Sequence, residues 1–373
     1  MMRINRHNSK EIGSCPPFSG GRGRIEVITR ASVVIDPCEQ KDWDEALVRT
    51  PGSSFFHTSS WAEVLRESYH YEPLYFTIRN QAALEALLPV MEVDSVLTGK
   101  RGVSLPFTDY CEPIVSDAAQ FQELFAAAVA FGKKKSWRYL ELRGGERFFP
   151  NEDPSEFHYG HTLDLADGPR KLFAGLRDSH RRNIKKAEKE KIDVAISASP
   201  DAVKEFCRLN AVTRRDHGLP PQPRRFFQCV YDHILSQGLG FIVLASFRET
   251  AIAANVYFNF GDRILYKYGA SDRDFQHLRA SNLVMWEAIK WGCEHGYRTL
   301  CFGRTEPGNE GLRQFKAGWG AREHLIKYYR YDLRKDVFVK TPTVVKPSYQ
   351  KIFSHLPIPV LNLLGNILYR HMG

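Results

Sequence analysis

Residues 299–319 read TLCFGRTEPGNEGLRQFKAGW, and their reading decides how the chain is organised. Thr299 to Phe302 is short and apolar and reads as a buried strand. It runs into Gly303-Arg304, Pro307-Gly308 turns the chain, and a short helix over Leu312 to Ala317 presents Lys316. Glycines at 303, 308 and 311 let backbone approach another group closely. Arg304 and Lys316 are placed to grip a phosphate or a carboxylate. The alternative is a surface loop with two solvated cations. Glu306, beside Arg304, is a weaker candidate base.

On either side of this stretch the pattern is strand and helix in a fixed order. Ser281 to His295 reads as a helix, and Phe241 to Ser271 holds three strands, FIVLASF, IAANVYFNF and RILYKYGAS. Earlier come a strand at Tyr159 to Leu165, one long helix from Pro169 to Lys191, a strand at Asp193 to Ser197 and a helix at Pro200 to Asp216. Gly218-Leu219-Pro220-Pro221 breaks the chain before a helix at 223–237, and Leu325 to Asp332 is a closing strand.

The first part of the chain repeats this order. Ile25 to Ile35 reads as a strand, Glu39 to Val48 as a helix, and Ser59 opens a serine-capped helix to about Ser68. Strands follow between Pro73 and Val115 (LYFTI, ALLPVMEV and the segment around SLPF), then a helix at Phe121 to Gly132 and a strand at Trp137 to Leu142. The polar stretch Arg143 to Glu156 is the linker. The expected architecture is α/β, of the α+β kind. It has a disordered tail at 1–23, one lobe at 24–145, a second at 157–335 and a tail at 336–373. Each lobe should hold a mixed, mostly antiparallel sheet flanked by helices, with a cleft between or beside the lobes.

Composition bounds the function. The 373 residues carry 52 Lys plus Arg against 43 Asp plus Glu, a formal charge of +9, which favours anionic partners. Seven cysteines are widely spaced with no Cys-x-x-Cys pair, so a disulfide framework or a structural zinc site is not expected. His57, His217 and His277 have no metal spacing, and no metal is expected. No apolar run is long enough to span a membrane, and the basic N-terminus lacks the apolar core of a secretory signal. The expected location is the cytoplasm, with an inner-membrane contact left open.

Three further features could carry chemistry. Arg170 to Lys191 holds nine Lys/Arg against three acids, and Arg177, Arg181 and Lys185 recur at i, i+4 as a cationic stripe. It is either a phosphate-binding edge or a solvated face. Asp109 and Tyr110 follow an apolar strand and a proline: Asp109 could bind or deprotonate an acceptor amine and Tyr110 donate to an acceptor hydroxyl, or they are a turn carboxylate and a packed tyrosine. Tyr268 is a candidate acid for a leaving group, or a packed strand tyrosine. In the tail, apolar residues at 360, 361, 364, 367 and 368 form one face of a helix. Residues 351–373 either lie on an anionic membrane surface or dock onto the protein or a second copy.

In order, Leu105-Pro106-Phe107-x-Asp109-Tyr110, His180-Arg181-x-x-Ile184-x-Lys186-Ala187, Arg214 with Gly218-x-Pro220, Tyr268-Gly269-Ala270-Ser271 with Asn282 and Trp286, and Gly303-Arg304 with Phe315-Lys316-x-x-Trp319-Gly320 resemble the FemAB-like transferases. The likeness covers about residues 50 to 335, with a flavour of the subgroup found with exosortase/PEP-CTERM exopolysaccharide clusters. It implies tandem GNAT-type lobes and transfer of an acyl or aminoacyl group to an amine on a cell-envelope or exopolysaccharide precursor. It also implies donor phosphates at the helix N-terminus around Ser281 and Asn282. Asp109, Tyr110, Tyr268 and Lys316 are its catalytic candidates; Arg304, Lys316, Arg181, Lys185, Ser281 and Asn282 are its substrate-binding ones. The family's CoA loop is glycine-rich, whereas Arg273 to Ala280 contains no glycine. The tRNA-using members carry a long helical hairpin for which the helices at 200–216 and 223–237 leave no room. The donor is therefore open between acyl-CoA and aminoacyl-tRNA, with no permanently bound cofactor. Open alternatives are acyl-CoA-dependent N-acylation of an amino sugar and non-catalytic binding of an anionic small-molecule or lipid-linked glycan precursor.

Overall fold

Alternate side chains along a strand point to opposite faces, and in this chain both faces of the sheet are covered. The computed structural model describes residues 32–80, 83–340 and 349–373. The tail expected at 1–23 and most of the strand expected at 25–35 lie outside the described residues. The first half comprises β1 (Ser32–Ile35), α1 (Trp43–Val48), α2 (Ser59–Tyr69), β2 (Glu72–Asn80), β3 (Ala83–Val93), β4 (Arg101–Val103), α3 (Ala118–Lys134) and β5 (Tyr139–Arg143). The second comprises β6 (Glu156–Asp164), α4 (Gly168–Gly175), α5 (Asp178–Lys189), β7 (Asp193–Ser197), α6 (Pro200–Asp216), α7 (Arg224–Val230), β8 (Gly240–Phe247), β9 (Thr250–Phe260), β10 (Arg263–Ser271), α8 (Ala280–Glu294), β11 (Thr299–Thr305), α9 (Glu310–Ala317), β12 (Arg322–Asp332) and β13 (Val337–Val339). The tail holds α10 (Tyr349–Phe353) and α11 (Ile358–Leu368).

The strands form one sheet in the order β1-β2-β3-β4-β5-β12-β6-β11-β10-β9-β8-β7, with β13 on β12. Two pairs are parallel, β4 with β5 and β10 with β11, and the chain crosses between their members through α3 and α8. Where the halves meet, β12 of the second pairs β5 of the first. β12 pairs β5 from Tyr328 to Asp332 and β6 from Arg322 to Tyr328, so it lies between two strands of earlier sequence. Backbone hydrogen bonds therefore run unbroken from one half into the other.

Alternation sorts the apolar residues into three cores. Tyr75, Leu87, Met91, Val256, Phe258 and Leu265 point to one face, where a single core under α2, α6 and α7 spans both halves. At its centre Phe55 stacks on Phe258 at 4.6 Å and Trp61 meets Phe226 edge-on. The other face carries one core under α3 and another under α5 and α8.

Several elements differ from the sequence reading for local reasons. The expected helix from Pro169 to Lys191 is two helices, because the Arg177 N–H leaves the helical ladder and donates to the Gly318 carbonyl at 3.0 Å. The cap of α2 is Thr58, whose hydroxyl accepts from the Trp61 N–H, rather than a serine. The segment around SLPF is a loop: Leu105 and Phe107 both have φ of 59°. The tail docks on the body. Leu361 and Tyr369 are buried, and the Gly365 position on α11 lies against the Pro221 carbonyl so closely that a Cβ would sit 2.1 Å from it. Gly218, at φ 65°, meets the Gln350 carbonyl in the same way.

Candidate active site at the second strand fork

A parallel pair joined by a helical crossover separates beyond its hydrogen-bonded stretch, and each half of this chain contains such a fork. In the first, β4 and β5 pair only at Gly102–Leu140 and Val103–Glu141. The chain then closes its own gap. Ser104 N–H donates to the Glu141 carbonyl, the Ser104 hydroxyl accepts from Arg143 N–H at 2.7 Å, and the Arg143 guanidinium bonds Glu141 and the Leu105 carbonyl. Burial alone would raise the Glu141 pKa, but Arg143 and Arg330 outweigh it and hold the carboxylate low.

In the second fork β10 and β11 pair over Arg263–Leu265 and Thr299–Cys301, then part. Both strands are irregular at the point of divergence, β10 between Tyr266 and Tyr268 and β11 between Cys301 and Arg304. The bulge on β10 aims Lys267 inward. On β11 Gly303 takes φ 66°. The gap is entered by Asp109 from the first half. The loop that carries it is strained, since non-glycine residues in the left-handed region cost about 1–3 kcal/mol each. Thr108 Oγ1 and Arg143 hold it by donating to the Leu105 carbonyl.

Asp109 bridges the two strands. One carboxylate oxygen accepts from Lys267 Nζ at 3.2 Å and the other from the Arg304 N–H at 3.3 Å. A Cβ on residue 303 would lie 3.2 Å from this carboxyl group, so the glycine there makes room for Asp109. Lys267 also donates to the Phe107 carbonyl at 2.7 Å and lies over the rings of Phe56, Trp61 and Tyr268 at 4.9, 5.6 and 5.5 Å. Burial raises the Asp109 pKa, but the charges of Lys267, Arg304 and Lys316 more than offset this and leave it below the usual carboxylate value. Burial lowers the Lys267 pKa against the pull of Asp109.

Sequence reading placed Lys316 as a phosphate ligand projecting into a cleft. The structure buries it: Lys316 is 2% exposed, and its ammonium donates to the Gly303 and Arg304 carbonyls at 3.1 and 3.0 Å. It pins the bulge of β11. Burial brings its pKa down to about 8. The Arg304 side chain turns the other way. It donates to Tyr328 Oη at 2.9 Å, and Tyr328 Oη donates to the Asp109 carbonyl at 2.7 Å. Glu306 ion-pairs with Arg304 and approaches His158, which holds its pKa down.

Asp109, Lys316 and Arg304 thus meet at the fork. Tyr110 stands beside it and lines a cavity of about 270 Å³ between the halves, with Phe55, Phe56, Thr162, Arg263 and Cys301. Tyr268 projects to the face of α6 and α7 among Phe206, Phe226 and Phe227, where burial keeps its hydroxyl protonated. Arg181, Lys185, Ser281 and Asn282 lie apart from the fork, on α5 and the start of α8. Arg181 is held by the Ala174 carbonyl and Asp178, Lys185 and Ser281 are exposed, and buried Asn282 accepts from Asn183. His57 is a structural residue, buried and bonded to the Glu112 carbonyl, and burial lowers its pKa to about 4. Glu63, Glu67 and His233 are the grouping of possible metal ligands among the described residues; Glu67 is engaged there by Arg225 and His233.

Sequence reasoning passed over Lys267 and Tyr328. The signal for Lys267 was a lysine in the middle of RILYKYGAS, an otherwise apolar strand flanked by tyrosines.

Residues 174–318, which include β10, β11 and Lys316, match the family model described as an acetyltransferase (GNAT) domain. No protein of curated function matches the sequence. Among solved structures the chain is similar to FemX, with a TM-score of 0.63 at 12% identity, covering 79% of this chain and 96% of FemX. It is similar to a tandem GNAT protein from the clavulanic acid biosynthesis pathway, with a TM-score of 0.53 at 10% identity and coverage of 81% and 98%. It is also similar to the C-terminal domain of a putative lysylphosphatidylglycerol synthetase from Agrobacterium fabrum, with a TM-score of 0.50 at 12% identity and coverage of 72% and 86%. The chain has the tandem GNAT fold, its second half carries an acetyltransferase domain, and it is an acyltransferase.

Proposed function

We propose that the chain transfers an acyl or aminoacyl group to an amine on a cell-envelope or exopolysaccharide precursor. The observation that carries this reading is the second fork, where a carboxylate from one half is held between two separated strands of the other. Amine acylation forms a C–N bond, breaks the donor's C–S or C–O bond and passes a proton from the amine to the leaving group. Asp109, kept anionic, orients the incoming amine, which attacks as the free base, and the proton it releases on attack restores the one given to the leaving group. Tyr268, kept protonated, is the proton source for the leaving group. Donor phosphates lie along the exposed cations of α5, Lys185 among them, toward the N-terminus of α8. Acyl-CoA and aminoacyl-tRNA are the two donor classes this reading carries forward.

The test offers acyl-CoA and aminoacyl-tRNA in parallel to amine-bearing glycan precursors and reads product by mass spectrometry. Transfer from one donor, lost in Asp109→Asn with the fold intact, is the expected result. Binding of the precursor without transfer from either donor would leave a non-catalytic binder.

We also propose a peripheral membrane placement. No described helix is long and apolar enough to cross a membrane. Yet α11 exposes Val360, Leu363 and Ile367 beside Arg370 while Leu361 docks inward. Full-length protein should sediment with anionic liposomes at low salt, and Leu363→Ser/Ile367→Ser should stay in the supernatant. Sedimentation unchanged by that pair would end the idea.

A further inference from the structure

A cavity of about 410 Å³ lies between α6, α7 and α11, within the ~300–1,000 Å³ usual for small-molecule sites. Its walls are mostly apolar: Val203, Cys207, Ala211, Phe227 and, from the tail, Ile358. One wall residue does not fit an apolar filling. Asn210 is 5% exposed, and its side-chain amide has no hydrogen-bond partner among the described residues. The amide opens onto the cavity, where it can take both an acceptor and a donor from whatever fills it.

The rim has its own chemistry. Lys204 and Arg224 are exposed there without a hydrogen-bond or ion-pair partner among the described residues, whereas Arg208 is paired with Glu205. The two unpaired cations make the rim attractive to an anion. Gln222, also in the wall, reaches toward the Tyr268 hydroxyl, and Phe227 packs on the Tyr268 ring at 5.6 Å. The cavity is thus one side chain away from the second fork.

From the unpartnered Asn210, the apolar walls and the cationic rim, we infer that this cavity binds an N-acylated anion. The ligand class is an aliphatic chain joined through an amide to a carboxylate or phosphate head. The aliphatic chain fills the apolar walls. The amide supplies the C=O and N–H that Asn210 lacks. The head meets Lys204 and Arg224. Because α11 closes one side, the docked tail is part of the site. The inference does not rest on the transfer reaction, since binding is read without turnover.

The probe is N-octanoylglycine, titrated calorimetrically into the full chain, with N-octanoylglycinamide and octanoate as comparisons. N-octanoylglycine should bind one to one. The uncharged glycinamide should bind about tenfold more weakly, and Asn210→Leu should cost about five- to tenfold for N-octanoylglycine while leaving octanoate unchanged. Ile358→Trp, in the wall and half-buried at the start of α11, should block all three ligands while the melting temperature holds. Absence of saturable binding to the wild-type chain, or binding that neither Asn210→Leu nor Ile358→Trp alters, overturns the assignment.

Discussion

The two strand forks are built alike and finished differently. Each is a short parallel pair that parts after two or three residues, spanned by a helical crossover. The first is filled mainly from within its own half, by Ser104 and by Arg143 clasped to Glu141, with Arg330 of the second half on the same carboxylate. The second is entered from outside, by an aspartate of the other half that pairs with a buried lysine. A fork sealed by its own chain is a structural joint. A fork whose charge comes from a neighbouring half stays assembled only while the halves are registered, and the shared core and the pairing of β12 with β5 hold that register. Duplication of the fold thus leaves one copy of the gap in which a carboxylate of the other half meets a buried lysine.

The largest expected effect separates the forks by charge. Asp109→Leu leaves Lys267 uncompensated in an aromatic box, and breaking a buried pair in this way costs about 3–5 kcal/mol. Lys267→Met should cost a similar amount. The double variant Asp109→Leu/Lys267→Met should recover most of the stability, because a buried pair replaced by apolar groups is often neutral, yet it should remain inactive. Urea unfolding gives the stabilities. Recovery of activity along with stability in the double variant would make the second fork another structural joint. The pH dependence has a definite sign. Asp109 has a depressed pKa in the folded state, so its contribution is present above the ordinary carboxylate pKa of about 4 and is lost as pH falls through its folded value.

At the first fork, Arg143→Leu removes two hydrogen bonds to Glu141 but leaves that carboxylate with Arg330, bonded at 2.5 Å. The expected loss is about 1.5–3 kcal/mol, the usual worth of a charged hydrogen bond. Turnover of the folded fraction should fall no further than stability does, since the loop that carries Asp109 loses the Arg143 bond to the Leu105 carbonyl but keeps that of Thr108. A selective fall in turnover, with stability spared, would erase the distinction between the forks.

Much of this architecture was legible in the sequence, and the parts that were not have a common cause. The element order of both halves, the crossover helices and the Gly303-Arg304 turn follow from period, capping and glycine placement, which are local. Lys316 was legible as a residue of the site, but its burial was not. Whether a lysine after a turn meets solvent or two carbonyls depends on β11 bulging toward α9. The break between α4 and α5 depends in the same way on a carbonyl at Gly318, far along the chain. The insertion of β12 between β5 and β6 leaves no local trace, because a strand pairs equally well with either neighbour of matching polarity. Lys267 was visible as a misfit in an apolar strand, and its partner across the halves was not.

Gly303→Ala probes the closeness of the two halves. The added Cβ meets the Asp109 carboxyl at 3.2 Å, and φ 66° is strained for alanine, at roughly 1–2 kcal/mol. The stability loss should be near that figure, while turnover should fall further, because Asp109 must shift. The analogous probe of the first fork, Ser104→Ala, removes the oxygen that accepts from Arg143 N–H and should cost about 1 kcal/mol with turnover unaffected.

The smallest effect concerns Lys316 and is read against pH. Its folded pKa is about 8 and its ordinary value 10.5, so between those values the unfolded chain holds a proton that the folded chain has released. Folding is then favoured as pH rises from about 8 to about 10, and the penalty of burying the charge is complete below pH 8. Lys316→Met removes that penalty but strips the donors from two carbonyls, at about 1–3 kcal/mol for the groups left unpaired. The two terms oppose each other, so the net change at pH 7 should be small. The variant should fall progressively behind the wild type toward pH 10, where the wild-type lysine is neutral and still donates. Unfolding curves of both proteins at pH 7, 8.5 and 10 check this. A constant difference across the three would mean that Lys316 keeps its ordinary pKa. In that case its ammonium is not desolvated by the bulge of β11, and the second fork is open to solvent at the point where the two carbonyls meet.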